Sequence, residues 1–309
     1  MSVTRRRFLA SVGSVGAAMA LNGCGILTGR HGETRELTLA IVSDIHLGKD
    51  PTTLPSGSDR ATTPAARMAD IVREINESPA ELTLFMGDLV DTGAKHEDQY
   101  PEWAKIANRL AKPWRAVPGN HDPQPLFEKY VHPLVDCIDD QKGIRFVFFQ
   151  DSLATSHDGA VTPEQVAWMA ARIDDAKARG MRVVLCTHVP RHPNRSPDMG
   201  WYVRGEEPAL REMVEARRGT IIAIFSGHLH CSLRGWSDLS GIHELVMPSA
   251  CWNFEKDLSQ APGFAVKEYR PAWVLATIGP ERLTLNLKPV GDDALPPVVL
   301  SLPAAAKGA

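Results

Sequence analysis

Five apolar runs in this chain stop at the same kinds of residue. LTLAIV (37 to 42) leads into Ser43-Asp44-Ile45-His46, and LTLFM (82 to 86) into Gly87-Asp88. WRAV (114 to 117) leads into Pro118-Gly119-Asn120-His121-Asp122, and RVVLC (182 to 186) into Thr187-His188. TIIAIF (220 to 225) leads into Ser226-Gly227-His228-Leu229-His230. A short apolar run without polar alternation is a strand covered on both faces, as in parallel sheets flanked by helices. In such folds the strand ends are where sites are built.

Helical periods separate the runs. Met68, Ile71, Val72 and Ile75 recur at i, i+3, i+4 and i+7, and Trp103, Ile106, Ala107 and Leu110 mark a second helix. Thr162-Pro163-Glu164-Gln165 is a helix start with a capping box and proline at the first helical position. That helix carries Val166, Met169 and Ile173 on one face. Pro208, Leu210, Met213 and Val214 lie on another helix, and IRFVFF (144 to 149) is a further strand. From Gly241 onward, HELVM, GFAVKEY, AWVLATI and RLTLNL are short strands separated by turn residues, as in an antiparallel sheet. Residues 291–309, rich in Pro and Ala, are expected to be a frayed tail. The expectation is an α/β core with a β-rich end, sheet packed on sheet and helices outside.

The 309 residues carry a net charge of −3 and 6% aromatics, which gives no case for a polyanionic partner or a base-stacking platform. Residues 1–24 read as an address. Thr4, Arg5, Arg6 and Arg7 precede Phe8 and a mildly apolar stretch too short to span a membrane, and Leu21-Asn22-Gly23-Cys24 closes it. The order resembles a twin-arginine export signal with a lipoprotein processing box. It implies a periplasmic or cell-envelope protein, anchored to the membrane by lipid if Cys24 is acylated. Residues 25–36 read as a tether and 37–290 as the catalytic domain. Cys137, Cys186, Cys231 and Cys251 are expected to be free thiols, with a Cys231–Cys251 bridge as the alternative.

Taken singly, each strand-end motif is a turn or a boundary histidine. Five in one order, at one edge, are a ligand set. Imidazole with carboxylate suits Zn, Fe, Mn or Ni, and one ion needs about three or four such ligands. The inventory is about twice that, so two ions are the natural reading.

D-x-H, G-D, G-N-H-D, H and G-H-x-H in this order resemble the calcineurin-like metallophosphoesterases, over nearly the whole chain past residue 36. The resemblance implies a four-layer αββα sandwich of two packed mixed sheets flanked by helices. It also implies two divalent ions (Fe, Mn or Zn). Asp44, His46, Asp88 and His230 would hold one ion. Asp88 would bridge to the other, completed by Asn120, His188 and His228. His121 would face the leaving group, as general acid or as a stabiliser of developing charge, with Asp122 fixing its tautomer or orientation. Two divalent ions against Asp44, Asp88 and a bridging hydroxide leave a net positive charge suited to in-line attack on a phosphate ester. Asp91 stands where purple acid phosphatases carry a metal-binding Tyr, so the D-x-H form is most similar to bacterial cyclic-nucleotide and glycerophosphodiester phosphodiesterases. The implied substrate is a small phosphate ester, a diester ahead of a monoester, with no nucleic-acid partner. The alternatives are an exported metal-binding lipoprotein without catalysis and a nuclease of the same superfamily. Arg191, His192, Asn194, Trp201 and Arg204, and the ACWNFE segment (250 to 255), are candidates for substrate recognition.

Overall fold

The computed structural model describes residues 35–154, 156–192, 201–205, 207–239, 241–256, 258 and 262–303. The export segment and nearly all of the tether lie outside the described residues, as does Asn194. In chain order the elements are β1 (Leu37–Val42), α1 (Pro64–Glu77), β2 (Leu82–Met86), α2 (Gln99–Ala107), β3 (Trp114–Val117), α3 (Gln124–Tyr130), β4 (Cys137–Gln141), β5 (Ile144–Phe148), β6 (Gly159–Ala160), α4 (Pro163–Ala178), β7 (Arg182–Cys186), β8 (Val203–Gly205), α5 (Glu207–Ala216), β9 (Ile221–Ser226), β10 (Arg234–Leu239), β11 (Ile242–Val246), β12 (Gly263–Ala265), β13 (Ala272–Ile278), β14 (Arg282–Pro289) and β15 (Val298–Ser301).

Two mixed sheets carry the fold. The first runs β15-β14-β13-β1-β2-β3 and the second β12-β10-β11-β9-β7-β5-β4. One apolar cluster joins Leu39, Ile41 and Leu84 of the first sheet to Phe146, Val184 and Phe225 of the second, so the sheets pack face to face. A second cluster sets Met68, Ile71 and Trp103 of α1 and α2 on the outer face of the first sheet. A third sets Met169, Ile173, Leu210 and Val214 of α4 and α5 on the outer face of the second. These clusters make four layers, helix–sheet–sheet–helix, as the strand and helix periods imply. The caps form as the sequence dictates. Thr63 accepts the amide of Ala66 at the start of α1, and Thr162 and Gln165 close a reciprocal capping box on α4.

β1, β2 and β3 are mutually parallel, as are β5, β7 and β9. Parallel strands emit all their C-terminal loops at one edge, and this is what gathers the five motifs.

The C-terminal third departs from the expected antiparallel sheet. Its strands divide between the two sheets, and β11 runs parallel to β9. The frayed tail is corrected in part: Val298–Ser301 forms β15, pairing antiparallel with β14. Its side chains are only half-buried at best, so packing contributes little and the backbone ladder holds it. Cys137, Cys186, Cys231 and Cys251 are free thiols.

Candidate metal centre

Burial is the first property of the site. Asp44, His46, Asp88, His188, His228 and His230 are all buried, although every one of them lies in a loop just past the end of a strand. Buried polar groups must be paired, so their partners are diagnostic.

Each histidine spends one ring nitrogen outward. His46 Nδ1 donates to Asp91 Oδ1 at 3.2 Å, and His188 Nδ1 to the Met86 carbonyl at 2.7 Å. His230 Nδ1 donates to the Trp252 carbonyl at 2.9 Å, and His228 Nε2 to the His157 carbonyl at 2.8 Å. The remaining nitrogens face one another in two pairs. His46 Nε2 lies 3.1 Å from His230 Nε2, and His228 Nδ1 lies 3.2 Å from His188 Nε2. With the hydrogens engaged elsewhere, each pair sets lone pair against lone pair, which a cation or a proton between them relieves.

The carboxylates complete two clusters with ligand atoms within 4.8 Å of one another: Asp44, His46, Asp88 and His230, and Asp88, His188 and His228. Asp88 belongs to both. Its Oδ2 lies 3.5 Å from His46 Nε2 and 3.3 Å from His188 Nε2. Asn120 Oδ1 is enclosed and has no hydrogen-bond partner, an orphaned acceptor suited to a cation. Asp44 accepts the His228 amide on both oxygens at 3.0 Å and lies 3.3 Å from His230 Nε2. The residues present therefore fit divalent ions by donor type, tautomer and orphaned oxygen.

The electrostatics agree. Burial pushes the Asp44 carboxyl up, but His230 and His188 outweigh it and hold it below the usual range; at Asp88, His188 and His46 outweigh burial in the same way. Burial would lower the His188 pKa, but Asp88 raises it to about 10. The field that draws a proton to His188 draws any cation. Burial and then His188 hold His228 well below its ordinary value.

The backbone is bent to reach this arrangement. Asp44, His46, Asp88, His228 and His230 have φ of 52°, 47°, 50°, 73° and 49°, the left-handed region that L-residues rarely adopt. Two glycines permit the close approach. A Cβ on Gly119 would fall on the Asp88 carboxylate, and one on Gly227 on Ser43 and Asp44.

His121 lies beside the clusters. Its amide donates to Asp88 Oδ1 at 3.0 Å, and its Nδ1 donates to the Asp91 carbonyl. With Asn120, Lys95 and His157 it lines a cleft of ≈ 330 Å³. The role expected of Asp122 is corrected. Asp122 is buried, and its Oδ2 accepts the amides of Leu89 and Gly119 while its Oδ1 accepts Val90 and the Tyr100 hydroxyl. It braces the loops that carry Asp88 and Asn120. The Asp91 carbonyl is what orients His121. Burial, then Asp88, pushes the Asp122 carboxyl up to about 6.

The recognition candidates divide. Arg191 is buried in ion pairs with Glu207 and Glu244, and His192 stacks on Trp236 at 4.5 Å, so both serve the fold. Arg204 pairs with Asp158. Trp201 stacks on His157 at 4.8 Å and lies 5.4 Å from His228; Trp252 lies 4.0 Å from His230 and 4.8 Å from His46. The two tryptophans flank the clusters. Sequence reasoning did not single out His157 or the role of Asp91. Asp91 sits one turn past Asp88, within reach of the same loop, and that spacing was the available signal.

The profile of the calcineurin-like phosphoesterases matches residues 37–232. A glycerophosphodiester phosphodiesterase GpdQ from Enterobacter lignolyticus is 29% identical over 175 residues, 52% of this chain and 61% of that protein. The chain thus spans less than two thirds of that relative's length. A 3',5'-cyclic adenosine monophosphate phosphodiesterase CpdA from Haemophilus influenzae is 24% identical over 243 residues, 77% of this chain and 84% of that protein. Among solved structures, a dimetal phosphatase from Danio rerio superposes with a TM-score of 0.61 at 12% identity, covering 86% of this chain and 98% of that one. At that identity the likeness is one of fold.

Proposed function

The chain belongs to the calcineurin-like phosphoesterase family, and from that premise we propose that it is a metal-dependent phosphoric ester hydrolase holding two divalent cations and favouring phosphodiesters. The observation that carries the reading is the double role of Asp88, whose one oxygen lies within 3.5 Å of a ring nitrogen in each histidine pair. A single ion would occupy only one of the two histidine pairs that Asp88 joins. The named activities of the relatives from Enterobacter and Haemophilus support a diester preference.

Bound there, two divalent cations would supply Lewis-acid polarisation of the phosphoryl group and an activated water. The chain supplies the rest. Asp44 and Asp88 set the charge of the site, and the neutral Asn120 oxygen adds a ligand without reducing attraction for an anionic ester. His121 is held through Nδ1, so in its imidazolium form the Nε2 proton is available to a departing oxygen in the cleft. Trp201 and Trp252 flank the two histidine pairs.

Metal analysis of the purified protein, combined with a panel of phosphate mono- and diesters, tests the reading. The expected result is about two divalent ions per chain and faster turnover of diesters. One ion per chain with full activity, or no hydrolysis of any ester, would overturn it.

We also propose export by the twin-arginine route with a lipid anchor on Cys24, supported by the order of Arg5, Arg6, Phe8 and the closing Cys24. Replacing Arg5, Arg6 and Arg7 with Lys should retain the protein in the cytoplasm, and Cys24→Ala should release it from membranes. Unchanged fractionation of both variants would sink the proposal.

A further inference from the structure

The loop that follows β11 is tied to two proposed ligands of one cluster. At His230, the Trp252 carbonyl takes the Nδ1 hydrogen, and the Phe254 amide donates to the His230 carbonyl at 2.9 Å. At Asp44, Ser249 Oγ donates to the backbone carbonyl at 2.9 Å, and the Ala250 amide donates to the carbonyl of Ser43 beside it at 2.8 Å.

Two buried side chains shape that loop, Ser249 and Asn253. Ser249 Oγ gives its one hydrogen to Asp44 and accepts the amides of Cys251 at 3.0 Å and Trp252 at 3.2 Å. Asn253 Oδ1 accepts the amides of Ser249 at 2.8 Å and Ser232 at 3.1 Å. Its Nδ2 donates to the carbonyls of Ser249 at 2.8 Å and Arg270 at 3.0 Å. Three hydrogen bonds for a hydroxyl and four for a primary amide are the full capacity of each group. The partners also fix which way the amide points, since a flipped group would set its donors against two N–H groups.

These hydrogen bonds act where the backbone is under strain. Asp44, His230 and Ser232 have φ of 52°, 49° and 65°. Such residues persist only where the surroundings hold them. Ser249 holds the Asp44 carbonyl, Asn253 holds the Ser232 amide, and the Ser249 hydroxyl also fixes Trp252, whose carbonyl sets the His230 tautomer. Among the described residues, none of the hydrogen bonds of Ser249 or Asn253 reaches Asp88, His188 or His228.

We propose that Ser249 and Asn253 are positioning residues for Asp44 and His230. They act through the backbone, and their loss weakens the ion at the Asp44–His230 cluster while sparing the other. The selectivity between two ions rests on the dinuclear reading above, whereas the support of the Asp44–His230 cluster does not.

Titration of the stripped full-length protein with Mn²⁺ tests it. The wild type should bind two ions. His46→Ala should abolish one of them and so identify which affinity belongs to the cluster of Asp44 and His230. Ser249→Ala should weaken that same ion about 10-fold and Asn253→Ala about 10–100-fold, the range expected when a group supporting a ligand is lost, with the other ion unchanged. Ser249→Thr, which keeps the hydroxyl, should recover most of the affinity. Ser249→Ala removes a single buried oxygen and stands in if Asn253→Ala does not fold. A role in folding alone would lower the Tm of the stripped variants and leave both affinities as in the wild type, and that result would overturn the proposal. Equal weakening of both ions would overturn it too. A wild type that binds a single ion would refute the dinuclear reading. The proposal would then stand if His46→Ala abolishes that ion and Ser249→Ala weakens it, and would fall otherwise.

Discussion

His46 Nε2 and His230 Nε2 stand 3.1 Å apart, although 184 residues separate them along the chain and they come from different sheets. Asp91 and the Trp252 carbonyl take the two Nδ1 hydrogens, so in the neutral rings the facing Nε2 atoms set lone pair against lone pair. A proton or a cation between them relieves that contact. Metal should therefore stabilise the folded state over the unfolded chain. At a free metal concentration about 100 times Kd the linkage is worth ~2.7 kcal/mol, or a few degrees in Tm. Chelator treatment should lower Tm by that amount, and a divalent ion should restore it. An unchanged Tm would mean that the pair is not a cation site.

His121 should act on the leaving group. His121→Ala should retain its metal and lose about 10²–10⁴-fold in rate with an alkyl or cyclic-nucleotide diester. The loss should be much smaller with a nitrophenyl ester, whose leaving group departs without a proton. The measurement is the ratio of kcat/KM, wild type over variant, for each substrate. Equal ratios would assign His121 an electrostatic role.

Asp91 should matter through His46. Its carboxylate takes the Nδ1 hydrogen and leaves Nε2 as the lone-pair atom, and Lys49 lies 3.6 Å from the same oxygen. Asp91→Ala should weaken one of the two ions by about 10–100-fold, and Asp91→Asn by less, because the amide oxygen still accepts. Competition against a chromogenic chelator reads both values. Wild-type affinity in the alanine variant would remove Asp91 from the metal centre.

Lys256 provides a pH signature outside the ligand set. Its Nζ is enclosed without a hydrogen bond, 3.6 Å from the Trp201 ring centroid and 4.6 Å from that of Phe254. Burial pushes its pKa down from 10.5 to about 8. Between those values the unfolded chain holds more protons than the folded one, so stability rises with pH through that window and is diminished below it. The two ring contacts offset part of the penalty. Lys256→Met should gain about 1–2 kcal/mol at pH 7 and flatten the stability profile between pH 8 and 10.5. Urea unfolding at four or five pH values decides it, and a slope equal to that of the wild type would refute it.

The central strands and the buried polar residues gathered at their ends were legible because one physical signal carries both. Buried parallel strands are apolar without alternation, so the first polar residue after Val42, Met86, Cys186 or Phe225 stands out. β4 (CIDDQ) gave no such signal, as an edge strand with half-exposed polar side chains. α3 has seven residues and buries only Phe127, too short for a period to register. β15 is masked in the sequence by the prolines on either side of it. Within the site, two residues were misjudged because partners distant in sequence decide where they turn. The sequence spacing of Asp122 and His121 suggested a side-chain pair, whereas the chain reverses there and Asp122 turns to the amides of Leu89 and Gly119. Arg191 was similarly a candidate for substrate recognition, but Glu244, 53 residues away, holds it inside the fold.

Five of the proposed ligands occupy left-handed backbone, and this restricts what may replace them. Each such residue costs roughly 1–2 kcal/mol relative to an ordinary conformation, and Asp, Asn and His tolerate it better than most. The residue types that serve as ligands are thus also among the few that the chain path accepts. A branched substitute such as Asp44→Val fails twice, once as a ligand and once as a bend. Glycine does the reverse. At His46 or His230 it abolishes the ligand while relaxing the turn, so such a variant should lose metal yet give up less stability than its lost side chain implies. The metal centre is held at the expense of a more comfortable fold, and drift toward stability at these five positions runs away from function.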